Sequence, residues 1–472
     1  MKGFVNPYNF IGFPKKKAEA YTDEDKHTGV IEYTITTKTP LFIPNSSSDT
    51  AFEQSEPGNE HKSYDFFSYT ELDAEKRYEN EYHVPVIPGS EMRGVVRNVY
   101  ETLTDSCMGL LNSEEYPVKR SVERFKPGLI YKDRNGRFSL YEAWSLRIGD
   151  VALKGKVPQG FEKNSNGSLI YYQEPPKNSK NQPEPIKSYS VNPTKFNSKK
   201  GYLLKWGMGV KKARYHVFVV KRKQFSDIKV EGINISKEDI ERKLLWIVDS
   251  YLTQPAIKPD DKKAYEEYKR DVEDFLYGKN VDIYFPINYS KLDKGIYYLA
   301  PATYTKEVSE NNIGKLVKDF TPCDKGYCPA CDLFGYVGKN NESCKGSKIR
   351  FTDMYVTEAK KENKEYYINP PVTIEALGEP KLGNVEFYLK KPDRANFWTY
   401  DYYIQDSQKI VIKDGELRGR KYYWHHREVD LNKRVEVTKL NKTIRPVKEN
   451  ISFNGKLYFE GISKKQLHQL IW

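Results

Sequence analysis

"VPVIPGSEMRGVVRNVYETL", residues 84–103, is the stretch from which the architecture is read. Pro88 and Gly89 make a turn, and Ser90 is a good N-cap for a following helix. Met92, Val95, Val96, Val99 and Leu103 fall at i, i+3, i+4, i+7 and i+11, which predicts one apolar face packed on a core. Arg93 and Arg97 lie four apart and share a face away from those valines. Gly94 between them weakens the helix, as expected where something approaches the backbone closely.

Upstream, "GVIEYTITTKTPLF" (29–42) alternates Ile31, Tyr33 and Ile35 with Glu32, Thr34 and Thr36, the period of a half-buried strand. Residues 45–83 then run polar and without period, which predicts a long functional loop. Downstream, residues 158–200 are rich in Pro, Asn, Ser and Lys and predict a flexible segment. "SKEDIERKLLWIVDSYL" and "DDKKAYEEYKRDVEDFLYG", within 236–278, predict a helical pair. From 281 strand signals return in "VDIYFPI", "GIYYLA", "SKIRFTDMYV", "NVEFYL" and "GKLYFEGI".

Lys and Arg outnumber Asp and Glu by 77 to 65, a net charge of +12. Such an excess attracts polyanions, nucleic acid foremost. The 37 tyrosines interleave aromatic faces with that charge, which suits stacking of unpaired bases. No apolar run is long enough to span a bilayer, and "MKGFVNPYNFIGFPKKK" lacks the apolar core of a signal peptide; the chain is expected to be cytoplasmic and without a membrane partner.

Four of the five cysteines lie in "CDKGYCPACDLFGYVGKNNESC", residues 323–344. Cys323, Cys328 and Cys331 have the spacing C-x4-C-x2-C, which gathers thiolates around one tetrahedral ion, zinc by default. No HExxH or comparable ligand-plus-base pattern accompanies them, so a structural zinc is expected. Two residues compete for the fourth position. Cys344 is near in sequence, and Cys107 follows the 90–103 helix.

Together, "IPGSEMRGVVR", "CPACDLFG" and the strand "KIRFTDM", with "NPYNF" (6–10), "RGRKYYWHH" (418–426) and the late "TIRPV…LYFEGIS…QLHQLIW", resemble the RAMP (repeat-associated mysterious protein) superfamily of CRISPR-associated proteins. The likeness is to backbone subunits of type III effector complexes. It implies an α+β fold: an RRM-like (ferredoxin-like) antiparallel sheet with large insertions and a structural zinc loop. Residues 1–107 would form the first part of that core, with 45–83 a thumb-like loop. Residues 108–320 would be a large insertion. Residues 321–472 would carry the zinc loop and the rest of the core, lacking a final glycine-rich segment.

The resemblance further implies guide RNA, complementary target RNA and other CRISPR effector subunits as partners. Gly89, Ser90, Arg93, Gly94 and Arg97 match the motif that contacts the guide backbone, and the resemblance favours Cys107 as fourth zinc ligand. A helix start and two arginines one turn apart suit successive phosphates. Arg418, Arg420 and Lys421 are expected to hold phosphate beside aromatic rings. Relatives that cut target RNA use an aspartate in the loop after the first strand, often with a divalent metal such as magnesium; Asp73, Asp65 and Asp49 are the candidates here.

Two alternatives stand beside this reading. One is a metal-independent endonuclease that processes precursor guide RNA with His425 or His426 as acid or base. The other is a zinc-containing RNA-binding protein without a CRISPR role.

Overall fold

The computed structural model describes residues 7–22, 25–46, 51, 61–69, 81–121, 124–148, 164–193, 199–205, 215–221, 232–253, 257–292, 297–302, 305–324, 327–338, 343–378, 382–406, 409–425 and 435–472. The chain forms two compact units. The first gathers residues 1–114, 313–381 and 417–472, and the second 115–312 and 382–416.

In the first unit, strand Lys26–Thr36 pairs antiparallel with the long strand Ser452–Ser463. On the other edge of Ser452–Ser463 lie Ile349–Phe351 and Met354–Val356, one strand interrupted at 352–353. Val86–Ile87 then pairs with Met354–Val356. The order across the sheet is therefore 26–36, 452–463, 349–356, 86–87. Alternation sets its two faces. Ile31, Tyr33, Leu457, Phe459 and Ile349 face a core shared with Tyr100, Leu333 and Phe334. Glu32, Asn454, Lys456 and Tyr458 point to solvent, where Lys456 pairs with Glu32 at 2.7 Å.

Helix Gly89–Leu103 follows the first strand, and helix Lys464–Ile471 follows the long one. The last helix opens with a capping box, Ser463 accepting from the Gln466 backbone and Gln466 accepting from that of Ser463.

The helix at 89–103 does not bury the face its apolar residues predict. Val95, Val99 and Leu103 are exposed, Met92 and Val96 are half-buried, and the buried positions include Arg97, Tyr100 and Glu101. Arg97 and Glu101 satisfy each other through a 2.8 Å ion pair, which lets a charged stripe face inward. The N-cap is Pro88, and Ser90 sits exposed one residue inside the helix. Among the described residues nothing lies within 4 Å of where a Gly94 Cβ would be, so none of them explains that glycine.

Part of the 45–83 segment is ordered into a sheet. Lys62–Tyr64 runs parallel to Lys442–Ile444, which pairs antiparallel with Val372–Ile374.

The second unit is built on a nine-stranded sheet whose named pairs are all antiparallel, in the order 297–300, 283–291, 126–132, 138–147, 216–220, 199–204, 169–172, 189–190, with 233–235 also beside 138–147. Helical turns over 237–252 and the helix Pro259–Tyr277 pack on it through Ile240, Leu244, Val248, Tyr268, Val272 and Phe275. The segment expected to be flexible, 158–200, instead supplies strands over its described residues, with Ile170 and Ile186 fully buried. Its polar composition hides a few apolar residues that are enough to anchor short strands.

Candidate metal centre and nucleic-acid interface

The Gly89–Leu103 helix ends at Thr104, whose hydroxyl donates to the Tyr100 carbonyl at 2.7 Å. The chain then turns through Asp105, in the left-handed region at φ 50°, into Ser106 and Cys107. Ser106 Oγ accepts from the Ala330 backbone N–H at 3.0 Å. Residue 106 is thereby tied to the start of the short helix Pro329–Phe334, with Cys328 as its N-cap and Cys331 within it. Gly335 ends that helix at φ 77°, and a Cβ there would lie 2.5 Å from the Lys345 carbonyl oxygen, so only glycine fits.

These local structures gather four buried sulfurs. The Sγ atoms of Cys107, Cys323, Cys328 and Cys331 all lie within 4.8 Å of one another. Cys107 Sγ is 3.4 Å from that of Cys331 and 3.6 Å from that of Cys328. Zinc–sulfur bonds of about 2.3 Å in a tetrahedron put the sulfurs roughly 3.8 Å apart, so the set could hold a metal ion such as zinc. Cys344, the rival for the fourth position, is exposed on the two-residue strand Cys344–Lys345 and outside the cluster.

Packed thiols cannot all ionise unaided. Hydrogen bonding with Cys107 holds Cys328 well below the ordinary thiol range and lowers Cys323 to about 7. Hydrogen bonding with Cys323 pushes Cys107 up, and that with Cys107 pushes Cys331 up. A divalent cation would let all four bind as thiolates. Lys17 Nζ stands 3.6 Å from Cys323 Sγ, where it would offset part of that negative charge.

Around the sulfurs lies a polar frame that the sequence does not announce. Arg97 pairs with Glu101, and Arg420 Nη1 approaches Glu101 to 3.6 Å. Arg420 Nη2 donates to the carbonyls of Ser106 and Cys107. A Cβ on Gly109 would fall 2.2 Å from an Arg97 nitrogen, so that glycine makes room for the guanidinium. Asp332, beside Cys331, accepts from Lys345, Lys348 and Gln466, which joins the cysteine helix to the last helix. Tyr100 donates to Gln469 at 3.0 Å in the same layer.

The residues expected to touch RNA therefore divide. Arg97 and Arg420 are buried and bonded within the protein, positioned to hold the Cys107 turn. Arg93 is half-buried, donates to the Phe334 carbonyl at 2.7 Å and lines a 440 Å³ cavity. The Gly89 N–H donates to Asp353 at 2.7 Å, so the chain's own carboxylate already occupies that donor. Ser90 and Gly94 are exposed.

A second group meets where strand Arg420–Tyr423 pairs with Tyr8–Ile11. Lys421 Nζ is 4.0 Å from the Tyr8 ring centre and 5.0 Å from that of Tyr423, and Arg418 is 5.7 Å from that of Phe10. Tyr423, Trp424 and His425 are exposed beside them. His426 lies outside the described residues.

Of the aspartate candidates, Asp49 and Asp73 lie outside the described residues. Asp65 is buried, accepts from the Phe66 backbone and forms a 2.8 Å ion pair with Arg445. A carboxylate so engaged is a structural anchor, and the catalytic role expected for it is set aside.

The RAMP superfamily profile matches residues 34–254. Over that span, a little under half of the chain, the sequence is similar to the RAMP superfamily. The match takes in the 89–103 helix and Cys107, while the other three cysteines of the cluster lie beyond it. It supports a CRISPR-associated role and RNA and CRISPR-complex partners in general terms. No curated protein matches the chain. No helix among the described residues is long and apolar enough to cross a membrane.

Proposed function

We propose that this chain binds guide RNA as a backbone subunit of a type III-like, RNA-targeting CRISPR effector, and that Cys107, Cys323, Cys328 and Cys331 bind a structural zinc. The observation that carries the RNA reading is the strand order 26–36, 452–463, 349–356, with one helix after the first strand and another after the long one. That order is the one expected of an RRM-like core, and it occurs in a chain matched by the RAMP superfamily profile.

Within this reading, Arg93 and the patch of Arg418, Lys421, Tyr423 and Trp424 contact RNA, the cations holding phosphate and the rings stacking on bases. Arg97 and Arg420 act through the metal site instead. The reading assigns no cleavage step to any described residue.

The test is purification of the protein from its native host and sequencing of the RNA that accompanies it. Short RNAs sharing one repeat-derived end are expected. Mixed cellular RNA, or none, would overturn the guide-binding reading.

A further inference from the structure

A larger cleft of about 1020 Å³ adjoins the Arg93 cavity, with Cys323 and Lys345 in the lining of both. Its walls are the segment 16–22 with Lys26, the turn around Lys318, Tyr327 before the cysteine helix, and Lys345 and Lys348 after it. Six lysines line it against three carboxylates, Glu19, Asp319 and Asp332. The walls are anchored. Ala18 N–H donates to the Asp105 carbonyl, Ala20 N–H to that of Tyr327, and Phe13 stacks on Phe320 with ring centres 4.9 Å apart.

Lys345 and Lys348 bond Asp332, Lys17 stands beside Cys323, and Lys16 pairs with Glu19 at 3.6 Å across an exposed surface. Lys16, Lys26 and Lys318 are exposed at the cleft. Lys318 sits at φ 54°, a left-handed conformation that costs a non-glycine residue energy and recurs at functional sites. Tyr21 and Tyr327 add ring faces, each with a lysine ammonium about 4 Å from its centre. Cations and rings in one anchored groove are the equipment of single-strand binding. Cys323 and Lys345 line this cleft and the Arg93 cavity alike, so the two flank the cysteine cluster side by side.

We propose that this lysine cleft binds a run of phosphodiester backbone in single-stranded RNA, extending the RNA path from Arg93 around the cysteine cluster to Lys16, Lys26 and Lys318. The inference rests on the RNA-binding reading above and adds a second contact region to it. Phosphates would balance the excess of six lysines over three carboxylates in the lining, and Tyr21 or Tyr327 offers a face to an unpaired base.

The test measures binding of a labelled single-stranded RNA to the full chain across a salt series, for the wild type and for the triple variant Lys16→Ala, Lys26→Ala, Lys318→Ala. Loss of three phosphate contacts lowers the slope of log affinity against log salt by about 2 for a single strand, and affinity at moderate salt is expected to fall at least about tenfold. The corresponding triple arginine variant keeps the charge and should keep both slope and affinity. Crosslinking of 4-thiouridine RNA to the wild type gives a readout that needs no variant, with adducts expected on peptides holding Tyr21 or Tyr327. An unchanged slope in the alanine variant, or adducts confined to other peptides, would overturn the cleft while leaving RNA binding in place. A wild type that binds no RNA would overturn both.

Discussion

The two units bury charge and fill their interiors in different ways. In one of the two core clusters of the first unit, the clustered cysteines are four of the twelve buried residues among those described. The guanidinium groups of Arg97 and Arg420 meet around Glu101 beside them. The second unit packs Leu129, Phe138, Leu244, Tyr268, Val272 and Phe285 into a largely apolar core between its helices and its sheet. Its buried Lys243 pairs with Glu310, while the hydrogen-bond partners of its buried Asp401 among the described residues are Ser309, the Glu310 backbone and Tyr298, none of them a cation. The cysteine end of the first unit leans on a candidate metal site with a polar frame, whereas its Phe66, Met354 and Phe453 cluster and the core of the second unit lean on hydrophobic burial.

The largest test of that contrast removes the metal. Zinc binding contributes about 10–16 kcal/mol in zinc-finger peptides, more than the stability of an ordinary domain. A strong chelator, or Cys331→Ser, is expected to abolish amide protection in 89–109 and 327–334 while 126–147 and 283–291 stay protected. Hydrogen exchange with mass spectrometry reads both, and persistence of protection in the first group would break the comparison.

Next in size is Arg420→Ala, which removes the guanidinium donor from the buried Ser106 and Cys107 carbonyls and leaves Glu101 with Arg97 as its cation. Breaking such a set costs about 3–5 kcal/mol. Denaturant unfolding should show that loss, and a zinc-release assay with a chromophoric chelator should show faster escape of metal. A change limited to RNA affinity would return Arg420 to the RNA surface.

Leu244→Ala should cost the second unit about 3 kcal/mol by opening a cavity in its apolar core. Zinc release should stay at the wild-type rate, which sharpens the distinction between the units.

The smallest effect concerns pH. Burial raises the Asp401 carboxyl above its usual value, and the nearby Glu310 carboxylate adds to the rise. A group whose folded pKa is raised contributes stability at pH values below its unfolded pKa, and that contribution fades as pH climbs through the folded value. From about pH 4 upward the second unit should therefore lose some stability through this group. Asp401→Asn removes the titration, and its unfolding midpoint should vary less over that range than that of the wild type. An identical pH profile would show that the Asp401 carboxyl titrates alike in the folded and unfolded chain, so that its pKa is not raised.

Much of the first unit was legible in the chain itself. Ile31, Tyr33 and Ile35 alternate because a strand turns successive side chains to opposite faces, and the structure keeps that alternation. Cys323, Cys328 and Cys331 stand close enough in sequence for local turns to bring them together. The 89–103 helix was legible as a helix and misread as a face. Apolar spacing ranked Val95 and Val99 inward, whereas the buried stripe is set by Arg97 and Glu101, and Arg420 reaches that stripe from more than three hundred residues away. Composition likewise pointed to a flexible segment at 158–200, where strand pairing with 199–204 decides the outcome.

What the sequence determined alone is whatever depends on neighbours a few residues apart: strand alternation, the existence of the helix, the three-cysteine loop, and a basic, tyrosine-rich chain suited to nucleic acid. Only the tertiary structure decided which arginines are buried, that Cys107 rather than Cys344 joins the other three sulfurs, that Asp65 is tied to Arg445, and that lysines from 16 to 348 share one cleft. A side chain's charge is written in the sequence. Whether that charge meets solvent, a ligand or a buried partner depends on contacts between distant segments, and these exist only once the chain has folded.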